Sequence, residues 1–478
     1  MGNYLTSAST PEKHVWVKPA TRSTNDGGGH SIKLQDLPED LLATILSKLP
    51  AEEVVRTSVL SSEWRWMWTA CPKLHFNGVD DACRNGGNQN SQMFIDGVNA
   101  VLQKHRGKFV DNLEIKFIAE NEQVYHINNW IRFAISSRTR KLAFDLASPR
   151  NGQGHRDHYR FPFELLDKES VCCLQCLQLS FVCLKPPSQF VGLPNLRKLE
   201  LYLVKTTRRD LENMLCSCCK LEQLSLVRCH LNDELRVTQP LCHLQYLQVI
   251  CCRITKLEFH AANLSTFVYD GSCIPFSLHH ASKLENAKIS FIGAILQHVA
   301  ESLLDGLPNI QNLTLQLALS WLETRWMLNI PRMFSQLRHL QLMLLIPIGE
   351  TDKILYLLVS LMRAVPLIEK LEVHFHGIST SWFANSGLLR QEIPPCDYAH
   401  LKSIHVTAFR AARSQVEFLL HVLENAPAVQ VVTLDTAQRL TDARNPDEID
   451  PTQSSVAFDV VRGPLLEKLP SHAKLFLV

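Results

Sequence analysis

The side chains here best equipped for chemistry are cysteines and histidines. The chain has 15 cysteines, among them two Cys-x-x-Cys pairs, Cys173/Cys176 and Cys216/Cys219. That spacing suits half of a zinc site. Yet Cys176 abuts the alternating Leu177 and Leu179, and Cys216 to Cys219 lead directly into a second alternating run. Small residues at matching places in successive copies of a repeat are expected to fill apolar slots, so packed free thiols are predicted and no metal site. An odd cysteine count in so long a chain also argues against a disulfide framework. His374 and His376 lie two apart on a predicted strand and His405 on the next one. Three imidazoles there could hold a metal, but exposed histidines are the simpler reading. A nucleophilic cysteine needs a lowered pKa, whereas burial beside apolar strands raises it.

The phosphate loop G-x-x-x-x-G-K-[ST], the nucleophile elbow G-x-S-x-G and the zinc helix H-E-x-x-H are all missing from the sequence. Gly27 to Gly29 have neither a strand before them nor Lys-Ser or Lys-Thr after them. Met1-Gly2-x-x-x-Thr6 fits the myristoylation pattern, though one acyl chain anchors only marginally. The expectation is a chain without catalytic residues, cofactor or bound metal.

Of the 478 residues, 46% are hydrophobic and 20% charged, enough apolar material for a sizeable core. Lys and Arg total 49 against 47 Asp and Glu, a formal charge of +2. Binding built on phosphate contacts needs a basic face, so nucleic acid is not expected as a partner. No apolar run reaches the length of a membrane span, and residues 1–30 carry no secretory segment. These features predict the nucleus or cytoplasm.

Residues 1–30 are polar and end in Asn25-Asp26-Gly27-Gly28-Gly29, a flexible tail by composition. Pro38 then suits a first helical position, followed by Glu39 and Asp40 at the positive end of the dipole. Leu41, Leu42, Ile45, Leu46 and Leu49 span an arc of roughly 140° on that helix. A second helix is predicted from Ala51 to Thr57, and a third from Glu63 to Ala70 with Trp64, Trp66, Met67 and Trp68. Three short helices make a marginal core and hold more apolar surface than they can hide, so a neighbour must cover the excess.

This segment resembles the F-box. The family pattern is met at Leu37-Pro38, Leu42, Ile45-Leu46-Ser47, Leu49-Pro50, Val55, Ser58, Val59-Leu60-Ser61, Trp64 and Trp68. Glu63, where a basic residue is more usual, and Met67, where Leu is common, are slight departures. The resemblance implies docking onto the Skp-family adaptor of cullin–RING ubiquitin ligases through Leu37, Pro38, Ile45, Leu46, Leu49, Val54, Val59, Trp64 and Trp68. Some of these, the tryptophans above all, fit the bundle's own core equally well, and the whole stretch could instead cap the following domain.

From Leu174 onward an L-x-x-L-x-L pattern recurs at Leu174, Leu196, Leu221 and Leu244, 22, 25 and 23 residues apart. Weaker copies begin at Leu264, Leu284, Ile310, Leu337, Ile368 and Leu401. The period is that of leucine-rich repeats, each supplying one parallel strand with leucines inward. Helical or irregular returns such as 208–215 and 354–364 should cover the convex side. Earlier strands are predicted at Leu113 and Lys141, with helices at Met93 to Lys104 and at Ile127 to Ile135. The outward residues would include Gln178, Ser225 and Thr314, and the candidates for target binding are Glu200, Tyr202, Gln248, Glu258, His260, Gln341, Glu372, His374 and His405. Mixed in sign and without a basic stripe, that set suits a protein surface.

Near the C-terminus a strand at Leu401 to Val406 leads into a helix. Ser414 and Glu417 are expected to form its capping box, with Val416, Leu419, Leu420 and Leu423 as the buried stripe. Leu401-Lys402, Phe409-Arg410, Phe418-Leu419-Leu420 and Leu423-Glu424-Asn425-Ala426-Pro427 resemble the FBD module of plant F-box proteins. The expected fold is therefore α/β: a tail (1–30), a three-helix F-box (31–78), a leucine-rich-repeat horseshoe of parallel strands (105–394) and an FBD-like cap (395–478). The resemblance implies a non-enzymatic target-recognition subunit of an SCF-type ligase; the alternative is a repeat scaffold that engages no ligase.

Overall fold

In the computed structural model the described residues are 69, 71–79, 88–107, 109–118, 121–146, 158–190, 192–294, 309–319, 334–345, 353–376, 396–437 and 461–478, with single positions at 41, 45, 303, 307 and 393. The tail and most of the predicted F-box helices lie outside them.

Among the described residues fifteen strands pair in parallel, in chain order, into one sheet that starts at Lys73–Asn77 and ends at Lys474–Leu477. One inward position runs in register through all of them: Leu74, Leu113, Leu142, Leu177, Leu199, Leu224, Leu247, Phe267, Ala287, Leu313, Leu340, Leu371, Ile404, Val432 and Leu475. The ten residues that begin the L-x-x-L-x-L copies, from Leu174 to Leu401, are all buried. Each fully buried leucine is worth about 1.5–3 kcal/mol, available only when the neighbouring repeat is in place.

Backbone hydrogen bonds at the strand entrances set the register. The Gln175 carbonyl accepts from the N–H groups of Arg197 and Lys198 at 2.8 and 3.0 Å, and the Arg197 carbonyl accepts from Glu222 and Gln223 at 2.7 and 2.9 Å. The same double acceptance reaches Glu369, whose carbonyl takes Lys402 and Ser403 at 2.8 and 3.1 Å. At the exits a left-handed residue turns the chain: Phe181, Leu203, Arg228 and Cys251 have φ between 50° and 60°. Each of these four N–H groups donates to a carbonyl of the next repeat at 2.6–2.9 Å, which offsets a conformational cost of roughly 1–2 kcal/mol.

The returns differ from the expectation in the middle of the chain. Helices do return at Val124–Ser136, Arg208–Cys216, Lys353–Arg363 and Arg413–Asn425. Between them runs a second parallel sheet of six strands, including His230–Val237, Arg253–His260 and Phe276–His279. Leu235, Val237, Leu257, Phe259 and Phe276 on these strands join the same buried core as the long sheet. At the amino end Trp130 is buried, donates from Nε1 to Asn99 Oδ1 at 2.8 Å and meets Phe94 and Phe117 edge-on.

Two boundaries look different in the fold. Lys73–Asn77, inside the expected F-box range, pairs residue for residue with Asn112–Lys116. Across residue 395, Lys370–His376 pairs directly with Ser403–Thr407, so the sheet has no seam there. The capping box expected at Ser414 and Glu417 is not the one formed. Both residues are buried inside the helix, and Gln415 caps it instead, accepting from Arg410 N at 2.9 Å and Ala412 N at 3.2 Å.

Candidate functional site

Because side chains alternate along a strand, every inward leucine leaves a neighbour on the opposite face. The structure puts Glu200, Tyr202, Gln248, Gln341, Glu372, His374 and His405 on that outward face of the long sheet, with Gln178, Ser225 and Thr314. Glu258 and His260 are placed elsewhere, on Arg253–His260 of the six-stranded sheet. The outward residues are joined by hydrogen bonds from one repeat to the next. Gln178 donates to Glu200, and Ser225 Oγ donates to Gln248 Oε1 at 2.8 Å. Such bonds fix rotamers, so the face is presented as a rigid surface.

The densest part of the face lies over the later repeats. Thr314 Oγ1 donates to Gln341 Oε1 at 3.1 Å, and Gln341 Nε2 contacts His374 Nε2 at 2.9 Å. His374, itself buried, reaches Thr407 Oγ1 through Nδ1 at 2.9 Å, and its ring meets His405 edge-on at 6.0 Å. Glu372 binds Lys370 Nζ at 2.5 Å and His339 Nε2 at 3.1 Å. Burial pulls its carboxyl upward, but Lys370 and His339 outweigh this and hold it below the ordinary range. His339, Lys370 and Thr407 were not among the sequence candidates, although their places beside the inward Leu340, Leu371 and Val406 mark them as outward.

Over the early repeats the face is hollowed. Two adjoining concavities of about 380 and 340 Å³ meet at Ala143, between Glu114 and Gln178 on its neighbouring strands. An alanine at an outward position leaves room that larger neighbours wall in: Lys141, Lys198, Glu200 and Tyr202. Glu200 binds Lys198 at 2.7 Å, and that hydrogen bond holds the Lys198 ammonium above its ordinary pKa. A small residue carries no chemistry, which is why a search for polar candidates passes over Ala143. A third concavity, of about 400 Å³ and lined by Phe163, Leu166, Pro187 and Phe190, shares no lining residue with these two.

Glu258 forms a separate node. It takes Arg236 Nε at 2.9 Å, Lys256 Nζ at 3.0 Å and His279 Nε2 at 3.6 Å, while the His260 and His279 rings stack at 4.6 Å. The Arg236 guanidinium, with Lys256, holds its carboxyl at about 2; these partners, not deep packing, screen it from water. Donor atoms of Glu258, His260 and His279 lie within 4.8 Å of one another, the one such set of three among the described residues. Two cations already on the carboxylate make the set an ion-pair node rather than a metal centre. Its folded pKa lies below the ordinary 4.5, so its contribution to stability is full above that value and lost as pH falls towards 2. Glu258→Gln is expected to show a smaller fall in melting temperature across that window than the unaltered chain. Equal slopes in thermal melts at graded pH would refute the assignment.

The cysteines are less uniform than expected. Cys173, Cys176 and Cys216 are half-buried and Cys219 is exposed, so the Cys-x-x-Cys pairs are not packed core thiols. Burial raises Cys176, and it pushes Cys218 up to about 12. Cys252 is the exception: a hydrogen bond from Cys229 lowers it.

Of the adaptor candidates, Ile45 is described, and it is helical and exposed together with Leu41 one turn before it. Leu37, Pro38, Leu46, Leu49, Val54, Val59, Trp64 and Trp68 lie outside the described residues. Among the described residues no helix is long and apolar enough to cross a membrane.

Comparison with known proteins adds two family models and a set of relatives. The leucine-rich-repeat domain model of At1g61320/AtMIF1 matches residues 101–463, and the F-box domain model matches residues 34–73. The Arabidopsis thaliana F-box/FBD/LRR-repeat protein At2g04230 is 28% identical over 422 residues, 84% of this chain and 89% of the relative. Putative FBD-associated F-box protein At5g56690, from the same plant, is 32% identical over 41% of this chain and 47% of its own length. F-box/LRR-repeat protein At3g26922, also from Arabidopsis thaliana, is 29% identical over 64% of this chain and 95% of its own length.

Proposed function

The chain belongs to the plant F-box/FBD/leucine-rich-repeat family, and on that premise we propose that it is the target-recognition subunit of a cullin–RING ubiquitin ligase. Its F-box, read as three helices, docks on a Skp-family adaptor through Leu37, Pro38, Ile45, Leu46, Leu49, Val54, Val59, Trp64 and Trp68. The outward face of the long sheet holds the protein to be ubiquitinated. The observation that carries this reading is an F-box match at residues 34–73 running straight into the first strand of the solenoid at Lys73. Exposed Leu41 and Ile45, apolar and one helical turn apart, support a partner on that helix.

The mechanism is tethering. Holding a target lysine near a ubiquitin-charged enzyme raises its effective concentration, and this chain contributes no reacting group. A rigid solenoid suits the task because it fixes the distance between the two binding ends. The segment after residue 395 acts as the FBD-type closure of the stack, and the protein works in the nucleus or cytoplasm.

Co-purification of the full chain with a Skp-type adaptor tests the proposal. The unaltered chain is expected to co-elute, and Leu37→Ala/Pro38→Ala to weaken binding by about tenfold or more with an unchanged melt. A folded chain that ignores the adaptor would overturn the ligase reading and favour the scaffold.

A further inference from the structure

Two thiols on adjacent rungs of the solenoid are placed to join. Gln223–Val227 turns at Arg228 with φ 53°, and Tyr246–Ile250 turns at Cys251 with φ 50°. Cys229 and Cys252 thereby occupy the same point of successive repeats, each one residue ahead of His230 and Arg253, which are paired in the six-stranded sheet. The Arg253 N–H donates to the Cys229 carbonyl at 3.3 Å, and the Cys229 N–H donates to Cys252 Sγ at 3.4 Å. The sulfurs also sit against matching carbonyls one repeat apart: Cys229 Sγ is 3.5 Å from Leu201 O, and Cys252 Sγ is 3.4 Å from Leu226 O. They therefore point the same way and stack along the solenoid axis.

The pair divides the roles that thiol oxidation needs. A hydrogen bond from the Cys229 thiol favours the thiolate at Cys252 and pushes Cys229 well up. Cys252 is half-buried and follows the exposed Cys251, so solvent reaches its side of the rung, whereas Cys229 is buried. We propose that Cys229 and Cys252 form a reversible disulfide when the protein meets a hydroperoxide, pinning two neighbouring repeats together.

In the first step the Cys252 thiolate attacks the outer oxygen of the hydroperoxide. The O–O bond breaks, the alkoxide leaves and takes a proton, and Cys252 becomes a sulfenic acid. In the second step the Cys229 sulfur attacks the Cys252 sulfur, the S–O bond breaks, and water leaves carrying the Cys229 proton. Two thiols lose two electrons in total, and the hydroperoxide is reduced to an alcohol and water. Parallel strands lie about 4.8 Å apart, while disulfide-bonded Cβ atoms prefer about 3.8 Å. The bond must draw the rungs together, using the slack of the irregular register between His230 and Leu235. A strained bond of this kind is readily reduced by small thiols.

The test oxidises the folded full chain with stoichiometric hydrogen peroxide, blocks the remaining thiols and maps tryptic peptides without reduction. Peptide 229–236 is expected to be joined to peptide 237–253 with loss of two hydrogens, and dithiothreitol should separate them. The link should survive Cys251→Ser and vanish in Cys252→Ser. If Cys252→Ser does not fold, fragmentation of the wild-type linked pair assigns the bond to Cys242, Cys251 or Cys252 without any variant. No link in the wild type, a link assigned to Cys242 or Cys251, or a Cys251–Cys252 bond within one peptide would overturn the proposal.

Discussion

Leu247→Asp is expected to abolish the cooperative melt of the solenoid, whereas Leu247→Ala lowers stability by about 2–5 kcal/mol. Leu247 stands in the inward ladder between Leu224 and Phe267, and all three are completely buried. Its strand is interior to the sheet, so both flanking repeats depend on it. A carboxylate there leaves water without a cation to meet it, a cost of several kcal/mol on top of the lost apolar contact. Repeats are stabilised by nearest neighbours, so one faulty rung weakens two interfaces at once. The adjacent outward Gln248 provides the control: Gln248→Ala removes one hydrogen bond from Ser225 and should cost about 0.5–1.5 kcal/mol. Circular dichroism melts of the three variants decide the matter. If Leu247→Asp melted like the unaltered chain, the assigned register would be wrong.

That register was readable from sequence because it rests on a repeated requirement. Each rung needs a leucine-sized residue at the same phase, so between Leu174 and Leu401 the requirement reappears every 20 to 33 residues and survives local exceptions such as Phe267 and Ala287. The six-stranded sheet makes no such uniform demand. Leu235 and Val237, Leu257 and Phe259, and Phe276 and Leu278 fill its inward positions with varied shapes, and its strands run from two residues to eight. Alternation on Arg253–His260 gives Glu258 and His260 one face, but period two says nothing about which sheet owns the strand. Ser414 and Glu417 matched a capping box because the spacing is short and common. Gln415 won the role through a third bond that local spacing does not encode, donation from Nε2 to the Ala408 carbonyl at 3.0 Å. The lowered Cys252 thiol depends likewise on a residue 23 positions away, at a distance only the folded stack creates.

Ile45→Asp is expected to reduce affinity for a Skp-type adaptor by about 100-fold, near 3 kcal/mol, while leaving the solenoid's melting temperature unchanged. The effect is large because the site must be both apolar and desolvated when occupied. Ile45 is 41% exposed and Leu41 is 51% exposed, one helical turn apart. Two large aliphatic side chains in water at adjacent turns form a ridge that a partner's groove can bury. An aspartate in that ridge keeps its hydration in the free protein but must lose it on docking, so the penalty falls on binding and not on folding. Glu39→Gln, six positions before Ile45 in the sequence, separates this from a general charge effect and should change affinity by less than about threefold. Isothermal titration with the isolated adaptor supplies both numbers. A full-strength complex with Ile45→Asp would place the adaptor elsewhere and remove the apolar ridge from the binding surface.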